Sequence, residues 1–136
     1  MRVVLDTNVL LSALLSLRGI PDTIYRAWRA ARFEVVTSQV QLEEIRRASR
    51  YPKFKSVLQP HRVRTMVNNL QRALVLDTLP SGLEADEPFD AFLRGMAVAG
   101  EAAYLVTGDH RPRLHQRRHI GRTRIVTPSS FCAEAL

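Results

Sequence analysis

Acidic residues at four widely separated positions could together form a metal site. Carboxylate oxygens are hard ligands that suit Mg²⁺ or Mn²⁺, and clustered carboxylates repel one another unless cations neutralise them. A divalent ion held in this way can activate water and stabilise a departing oxygen, which is what phosphodiester cleavage requires. The chain has 13 acidic residues at a net charge of +7, and the four candidates are Asp6, Glu44, Asp90 and Asp109.

Asp6 and Asp109 each follow a short apolar run that is typical of a buried strand. Asp6 comes directly after residues 3–5, and Asp109 comes two residues after the run 104–107 that ends in Thr107. Ligands of parallel sheets bind beyond the carboxyl ends of the strands, so we expect both acids at that edge. Simpler interpretations stay open, because Asp6 could cap the next helix and Asp109 could be a turn residue.

Helix geometry places Glu43 and Glu44 on different sides of the helix that carries them. At about 100° per residue, Glu44 lies within roughly 65° of the centre of the apolar arc, whereas Glu43 falls nearly opposite. We therefore expect Glu43 at the surface, paired with Arg47, and Glu44 at the edge of the core. A carboxylate there needs a metal or an arginine as its partner. The apolar arc consists of Val40, Leu42, Ile45 and Ala48.

Asp90 and Asp86 surround the start of a helix that opens at Pro88. Acids at a helix N-terminus are favoured by the macrodipole, so either residue could have a purely structural role. Asp90 lies beside the apolar stripe of that helix, which favours it as a functional residue. Asp86 is then an accessory candidate.

Short apolar strands alternate with helices along the chain. This alternation predicts a parallel sheet in an α/β sandwich. Ser38 follows the second strand, caps the next helix and brings a third polar group to the carboxyl edge, so it is another accessory candidate. The predicted strands cover residues 3–5, 33–37, 104–107 and 124–127. The predicted helices cover residues 8–16, 21–32, 38–49, 60–74 and 89–99, with a short helix from residue 129.

Composition favours an anionic partner. Lys53 and Lys55 are the two lysines among 20 basic residues, the rest are arginines, and arginine suits bidentate contact with phosphate. A proteome rich in arginine is the alternative explanation. The single Cys132 excludes an intramolecular disulfide and fits a cytoplasmic location, and no apolar run approaches the ~20 residues of a membrane span.

The segment 110–124 is unusually basic and contains no acidic residue. We expect it to contact the phosphates of RNA beside the acidic site. A surface that pairs with an acidic partner protein is the alternative. The arginines proposed to bind RNA are Arg111, Arg113, Arg117 and Arg118.

The order of these motifs resembles the PIN domain. The matching elements are Asp6-Thr7-Asn8 after the first strand, Glu44 after the second, Asp90-Ala91-Phe92-Leu93 at a helix start, and Thr107-Gly108-Asp109 after the third. The stretches YPKF (51–54) and AAYLVTGD (102–109) are similar to the branch described as VapC-like toxin components of toxin–antitoxin pairs.

This resemblance implies a single PIN-like nuclease domain over residues 1–136. It implies a three-layer α/β/α sandwich with a central, mainly parallel sheet of four to five strands. The implied activity is a Mg²⁺- or Mn²⁺-dependent endoribonuclease, with Asp6, Glu44, Asp90 and Asp109 as catalytic metal ligands. Asn8 and Thr107 would position ligands or water. Implied partners are an RNA substrate, a cognate antitoxin protein and a second copy in a homodimer or higher oligomer.

Two other classes of function were compared with this one. A non-catalytic module of the same fold would bind RNA or protein through the basic segment. It is favoured because the run from Asp86 to Asp90 has fewer acids than the corresponding run of the family, with Glu87 as the one acid between them. A phosphatase of the D-x-D type is disfavoured because Asn8 replaces the second aspartate. No Walker A or G-x-G-x-x-G pattern supports a nucleotide-dependent class.

Overall fold

Strands and helices alternate along the chain in the computed structural model, which describes residues 1–80, 88–108 and 119–136, with residues 88–90 described by their backbone alone. The described strands are β1 (Arg2–Leu5), β2 (Glu34–Ser38), β3 (Leu74–Leu76), β4 (Tyr104–Val106), β5 (His119–Ile120) and β6 (Thr123–Val126). The described helices are α1 (Thr7–Leu15), α2 (Ile20–Arg29), α3 (Gln39–Ala48), α4 (Pro52–Lys55), α5 (Pro60–Gln71), α6 (Pro88–Ala99) and α7 (Pro128–Ala135).

The strands form one sheet in the order β3-β2-β1-β4-β6-β5. Every neighbouring pair is parallel except β5 and β6. The predicted α/β class with a mainly parallel sheet is therefore confirmed. The described sheet has six strands, whereas the resemblance implies four to five. The two strands that the sequence patterns do not predict are β3 and β5. β3 lies at the end of the helix predicted to reach residue 74, which instead ends at Gln71.

Alternate residues of the strands enter two separate cores. Val3 and Leu5 of β1 pack with α1, α2, α3, α4, α5 and α7 on one face, whereas Val4 packs with α6 on the other. This alternation follows from the two-residue repeat of a strand. The apolar strands are buried on both faces, as expected in a three-layer sandwich.

The end of α2 differs from its predicted boundary for a local backbone reason. The helix ends at Arg29 rather than at residue 32, and Ala31 adopts the left-handed conformation with φ 62°. The backbone amide of Ala31 donates to the Trp28 carbonyl at 2.8 Å, and that of Arg32 donates to the Ala27 carbonyl at 3.0 Å. These bonds satisfy carbonyls of the last helical turn and reverse the chain into β2.

Within the described ranges, each helix is too short or too polar to cross a membrane.

Candidate active site

Asp6 lies at the carboxyl end of β1, a central strand of the sheet, and is fully buried. The Thr107 hydroxyl donates to Asp6 Oδ2 at 2.8 Å, and the Asn8 backbone amide approaches Asp6 Oδ1 at 3.4 Å. Asp6 is therefore also the N-cap of α1, as the simpler interpretation predicted. A single cap would not require burial of the whole carboxylate, because caps are commonly solvated.

The parallel register of β1 and β4 explains the contact between Asp6 and Thr107. Leu5 is aligned with Val106, and the Asp6 backbone amide donates to the Val106 carbonyl at 2.9 Å. The residues that follow the two strands are therefore side by side at one edge. Thr107 is also fully buried, so its hydroxyl holds the carboxylate in a charge-assisted hydrogen bond away from water.

Gln41 forms hydrogen bonds that connect α3 to β1 and β2 near this edge of the sheet. Its Nε2 donates to the Leu5 carbonyl at 2.6 Å, and its Oε1 accepts from the Thr37 hydroxyl at 2.7 Å. The side chain is fully buried, and it links α3 to the ends of β1 and β2. Sequence reasoning missed this residue. The available signal was a polar side chain next to Leu42 on the buried side of α3.

Glu44 follows Gln41 by about one helical turn, which places it on the same side of α3. Its side chain is 20% exposed, and Oε2 forms an ion pair with Arg47 at 2.7 Å. This hydrogen bond and the Glu44 charge raise the pKa of Arg47. Glu43 is exposed as predicted, but the predicted pair between Glu43 and Arg47 is wrong, because Arg47 contacts Glu44 instead. Val40, assigned to the apolar arc, is 43% exposed.

Ser38 and Asn8 have different environments. The Ser38 hydroxyl accepts from the Gln41 amide at 3.1 Å and lies 3.1 Å from Met96 Sδ, fully buried. Its predicted capping of α3 is therefore confirmed, and it also contacts α6. Asn8 is exposed at the start of α1, with only its backbone directed to Asp6. Both residues remain accessory candidates.

A family model described as the PIN domain matches residues 2–111. The chain belongs to the PIN domain family. The match covers all four acidic candidates, and PIN domains are generally nucleases, often metal-dependent ribonucleases. No curated protein and no solved structure matches the chain significantly.

Several predicted site residues of this PIN domain fall outside the described residues. Asp90 belongs to the first turn of α6, but its side chain is not described. α6 packs against β1, β2 and β4, so this helix lies across the strands that carry Asp6 and Thr107. The remaining predicted residues outside the described ranges are Asp86, Asp109, Arg111, Arg113, Arg117 and Arg118.

The described part of the PIN domain offers oxygen donors of the kind that Mg²⁺ and Mn²⁺ prefer. Asp6 and Glu44 contribute carboxylates, and the neighbouring Thr7 hydroxyl is buried with no hydrogen-bond partner among the described residues. Those residues contain no group of three or more His, Cys, Asp or Glu side chains that could hold a metal. The donor chemistry of Asp6 and Glu44 therefore fits a hard divalent ion, and Asp90 and Asp109 stay predicted ligands.

Proposed function

We propose that this PIN domain is a Mg²⁺- or Mn²⁺-dependent endoribonuclease. The observation that carries the proposal is the fully buried Asp6 carboxylate at the carboxyl end of a central strand, held at 2.8 Å by Thr107 from the adjacent strand. A buried carboxylate is costly unless it has a partner or a function. We infer that the function of Asp6 is to hold an oxygen ligand for a metal in a fixed position at the edge of the sheet.

Asp6, Glu44, Asp90 and Asp109 are the proposed metal ligands. A divalent ion at this edge supplies activation of water and stabilisation of the leaving oxygen. Thr107 fixes the orientation of Asp6, and Asn8 is available at the exposed rim for substrate or water. Ser38 and Asp86 complete the set as accessory residues.

Glu44 needs to exchange its present partner in order to bind a metal. The Arg47 side chain is 63% exposed, so its guanidinium can move into water at little cost. Arg47 then balances the charge of Glu44 when no metal is bound and releases it when one arrives. This exchange gives Glu44 a place in the site that is compatible with its observed ion pair.

Positive charge supports an RNA substrate. The net charge of +7 attracts a polyanion, and Arg111, Arg113, Arg117 and Arg118 follow Asp109 closely in the sequence. We propose that these arginines contact phosphates on either side of the bond that is cut.

Glu44 and Glu43 provide a matched pair for the first test of this function. Both substitutions to Gln remove one charge from α3, but Glu43 is exposed and only Glu44 lies on the side of α3 that carries Gln41, whose Nε2 donates to the Leu5 carbonyl. We expect Glu44→Gln to lower RNA cleavage at least 100-fold with added Mn²⁺ and Glu43→Gln to leave it within about twofold. The magnitude is what the loss of one strong electrostatic group costs in other active sites. Equal rates for the two variants would contradict the assignment.

We also propose the toxin role, with an acidic antitoxin as the partner. A groove of about 540 Å³ between α3, α4 and α5 has buried Leu58, Val63 and Val67 among its lining residues. Its cations include Arg50 and Arg64, which have no ion pair among the described residues. This surface suits an acidic, partly apolar segment of a partner protein. Co-purification with the product of an adjacent acidic reading frame, lost on Arg50→Glu with Arg64→Glu, tests the proposal.

A homodimer is a further part of the proposal and follows from the family resemblance. Sedimentation or light scattering of the purified chain measures its molar mass directly. The mass of one 15.4 kDa chain would refute the dimer.

A non-catalytic binding module is the second candidate. It is favoured by the ion pair of Glu44 with Arg47, which already satisfies the carboxylate without a metal. This candidate predicts that purified protein binds RNA and cleaves none with Mg²⁺ or Mn²⁺. Metal-dependent cleavage that disappears in Glu44→Gln would exclude it.

A further inference from the structure

A cavity of about 350 Å³ is lined in part by residues that closely follow Asp6 and Thr107 in the sequence. Asn8 and Ser12 of α1, Lys53 of α4, and Gly108 after β4 contribute to its lining. Its volume is at the small end of the range for ligand pockets. It can therefore hold a small chemical group and is too small for an element of a partner protein.

Two lining residues connect the cavity to the Asp6 carboxylate. The Asn8 backbone amide is 3.4 Å from Asp6 Oδ1, and Gly108 directly follows Thr107, which donates to Asp6 Oδ2. Among the described residues, a Cβ atom added at Gly108 would meet nothing nearer than Pro128 Cγ at 3.9 Å, so this part of the wall leaves room for a ligand. A group bound in the cavity would lie next to the proposed metal site.

The described lining of the cavity combines the cation of Lys53 with neutral hydrogen-bonding groups. Lys53 is exposed, has no ion pair among the described residues, and its Nζ lies 5.2 Å from the centroid of the Phe54 ring. Asn8 and Ser12 are four residues apart, so they share one face of α1. None of the described residues that line this cavity is acidic.

We propose that this cavity binds a backbone phosphate of single-stranded RNA adjacent to the bond that is cut, with Lys53 as the phosphate-binding residue. Lysine binds phosphate as a compact point charge. Asn8 and Ser12 supply hydrogen bonds for the attached ribose, whose 2′-hydroxyl both donates and accepts. The inference rests on the proposed ribonuclease function, because it identifies how substrate is held at that site.

Electrostatics explains why such a residue is needed. Phosphate approaching the Asp6 carboxylate meets like charge, and the cation of Lys53 in the lining of the cavity offsets that repulsion. Lys53 belongs to α4 and Asp6 follows β1, so the substrate would be held between two different elements of the fold. The cation acts on substrate binding rather than on the chemical step.

Lys55 is a matched control for Lys53. Both lysines belong to α4, both are exposed, and substitution of either removes one positive charge. Lys55 instead lines the groove between α3, α4 and α5. A general effect of net charge would weaken RNA binding equally in the two variants, whereas a phosphate site requires Lys53 alone.

The test is the affinity for a short single-stranded RNA, measured by fluorescence anisotropy in EDTA so that no metal-dependent cleavage occurs. We expect Lys53→Ala to raise Kd about tenfold, since a hydrogen bond to a charged group is lost. The slope of log K against log salt should also fall by about 0.7, the loss of one phosphate contact on a single strand. Lys53→Arg should stay near the wild-type Kd, and Lys55→Ala should change it less than twofold.

The inference is overturned if Lys53→Ala binds like the wild type, if Lys55→Ala weakens binding equally, or if the wild type does not bind the RNA. Cleavage by the wild type with Mn²⁺, measured separately, distinguishes failure of the cavity from failure of the nuclease. Cleavage with unchanged Lys53→Ala binding refutes only the phosphate site. A tenfold loss of binding without any cleavage supports the phosphate site and refutes the ribonuclease.

Discussion

Replacement of Thr107 by Val should destabilise the protein by removing the hydrogen bond that holds Asp6. The two side chains have nearly the same shape, and both Thr107 and Asp6 are fully buried, so water cannot replace the lost hydroxyl. Hydrogen bonds to charged groups contribute about 1.5–3 kcal/mol to stability, and we expect a loss of that size in the free energy of unfolding. At a urea m-value of about 1–3 kcal/mol/M, the midpoint should fall by about 1 M.

Two control variants separate the hydrogen bond from packing. Thr107→Ser keeps the hydroxyl and removes one buried methyl group, which should cost about 1 kcal/mol. In an Asp6→Asn background the acceptor is neutral, so Thr107→Val should cost about 0.5–1.5 kcal/mol there. The double-mutant cycle should therefore give a coupling energy of about 1 kcal/mol.

Equilibrium urea unfolding of the four proteins of the cycle and of Thr107→Ser measures each of these quantities. A cost below about 0.5 kcal/mol for Thr107→Val would show that the hydroxyl does not stabilise Asp6. An equal cost in the Asp6→Asn background would show that the carboxylate charge has no part in the interaction. The first result would refute Thr107 as the residue that positions Asp6, and the second would refute the charge-assisted character of their hydrogen bond.

Three other predictions concern Gln41, Arg47 and Gly100. Gln41→Leu should lower the free energy of unfolding by about 2–5 kcal/mol, measured with urea, because the Leu5 carbonyl and the Thr37 hydroxyl lose their partner. The control is Gln39→Leu at an exposed position of the same helix, which should change this free energy by less than about 0.5 kcal/mol. Arg47→Ala should tighten Mn²⁺ binding about two- to fivefold, measured by calorimetry, because the cation that competes for Glu44 is removed. Arg46→Ala should not tighten it, and weaker Mn²⁺ binding by Arg47→Ala would contradict the proposed exchange. Gly100→Ala should lower the free energy of unfolding by about 1–3 kcal/mol, because the added Cβ would lie 2.5 Å from Val36 Cγ1. The control is Gly108→Ala, whose Cβ has its nearest contact among the described residues at 3.9 Å, and equal losses in the two variants would refute the steric argument.

Sequence patterns predicted the parts of the fold that local rules determine. Short apolar strands and their order along the chain gave a parallel sheet, and the polar residue types after the first and third strands placed Asp6 and Thr107 at one edge. Ser38 was recognised as a cap because Ser is a favoured N-cap residue between strand and helix. These features depend on residues close to one another in the sequence.

Features set by tertiary contacts were not predictable in the same way. The apolar residues of β3 continue the helical pattern of α5, and only pairing with β2 distinguishes them as a strand. Arg47 can reach Glu43 or Glu44 equally well along a helix, and burial of Glu44 at the edge of the core decides the pair. Gln41 is a polar residue on the buried side of α3, which indicates that it needs a partner, but only the tertiary structure identifies that partner as two strand ends.

The most direct test of the ribonuclease is RNA cleavage by purified wild-type and Asp6→Asn protein, compared in EDTA, Mg²⁺ and Mn²⁺. Circular dichroism of both proteins ensures that each is folded. We predict cleavage by the wild type only with a divalent metal, and a loss of at least 100-fold in Asp6→Asn. Cleavage that persists in EDTA, or equal rates for the two proteins with metal, would contradict the assignment of Asp6 as the central metal ligand.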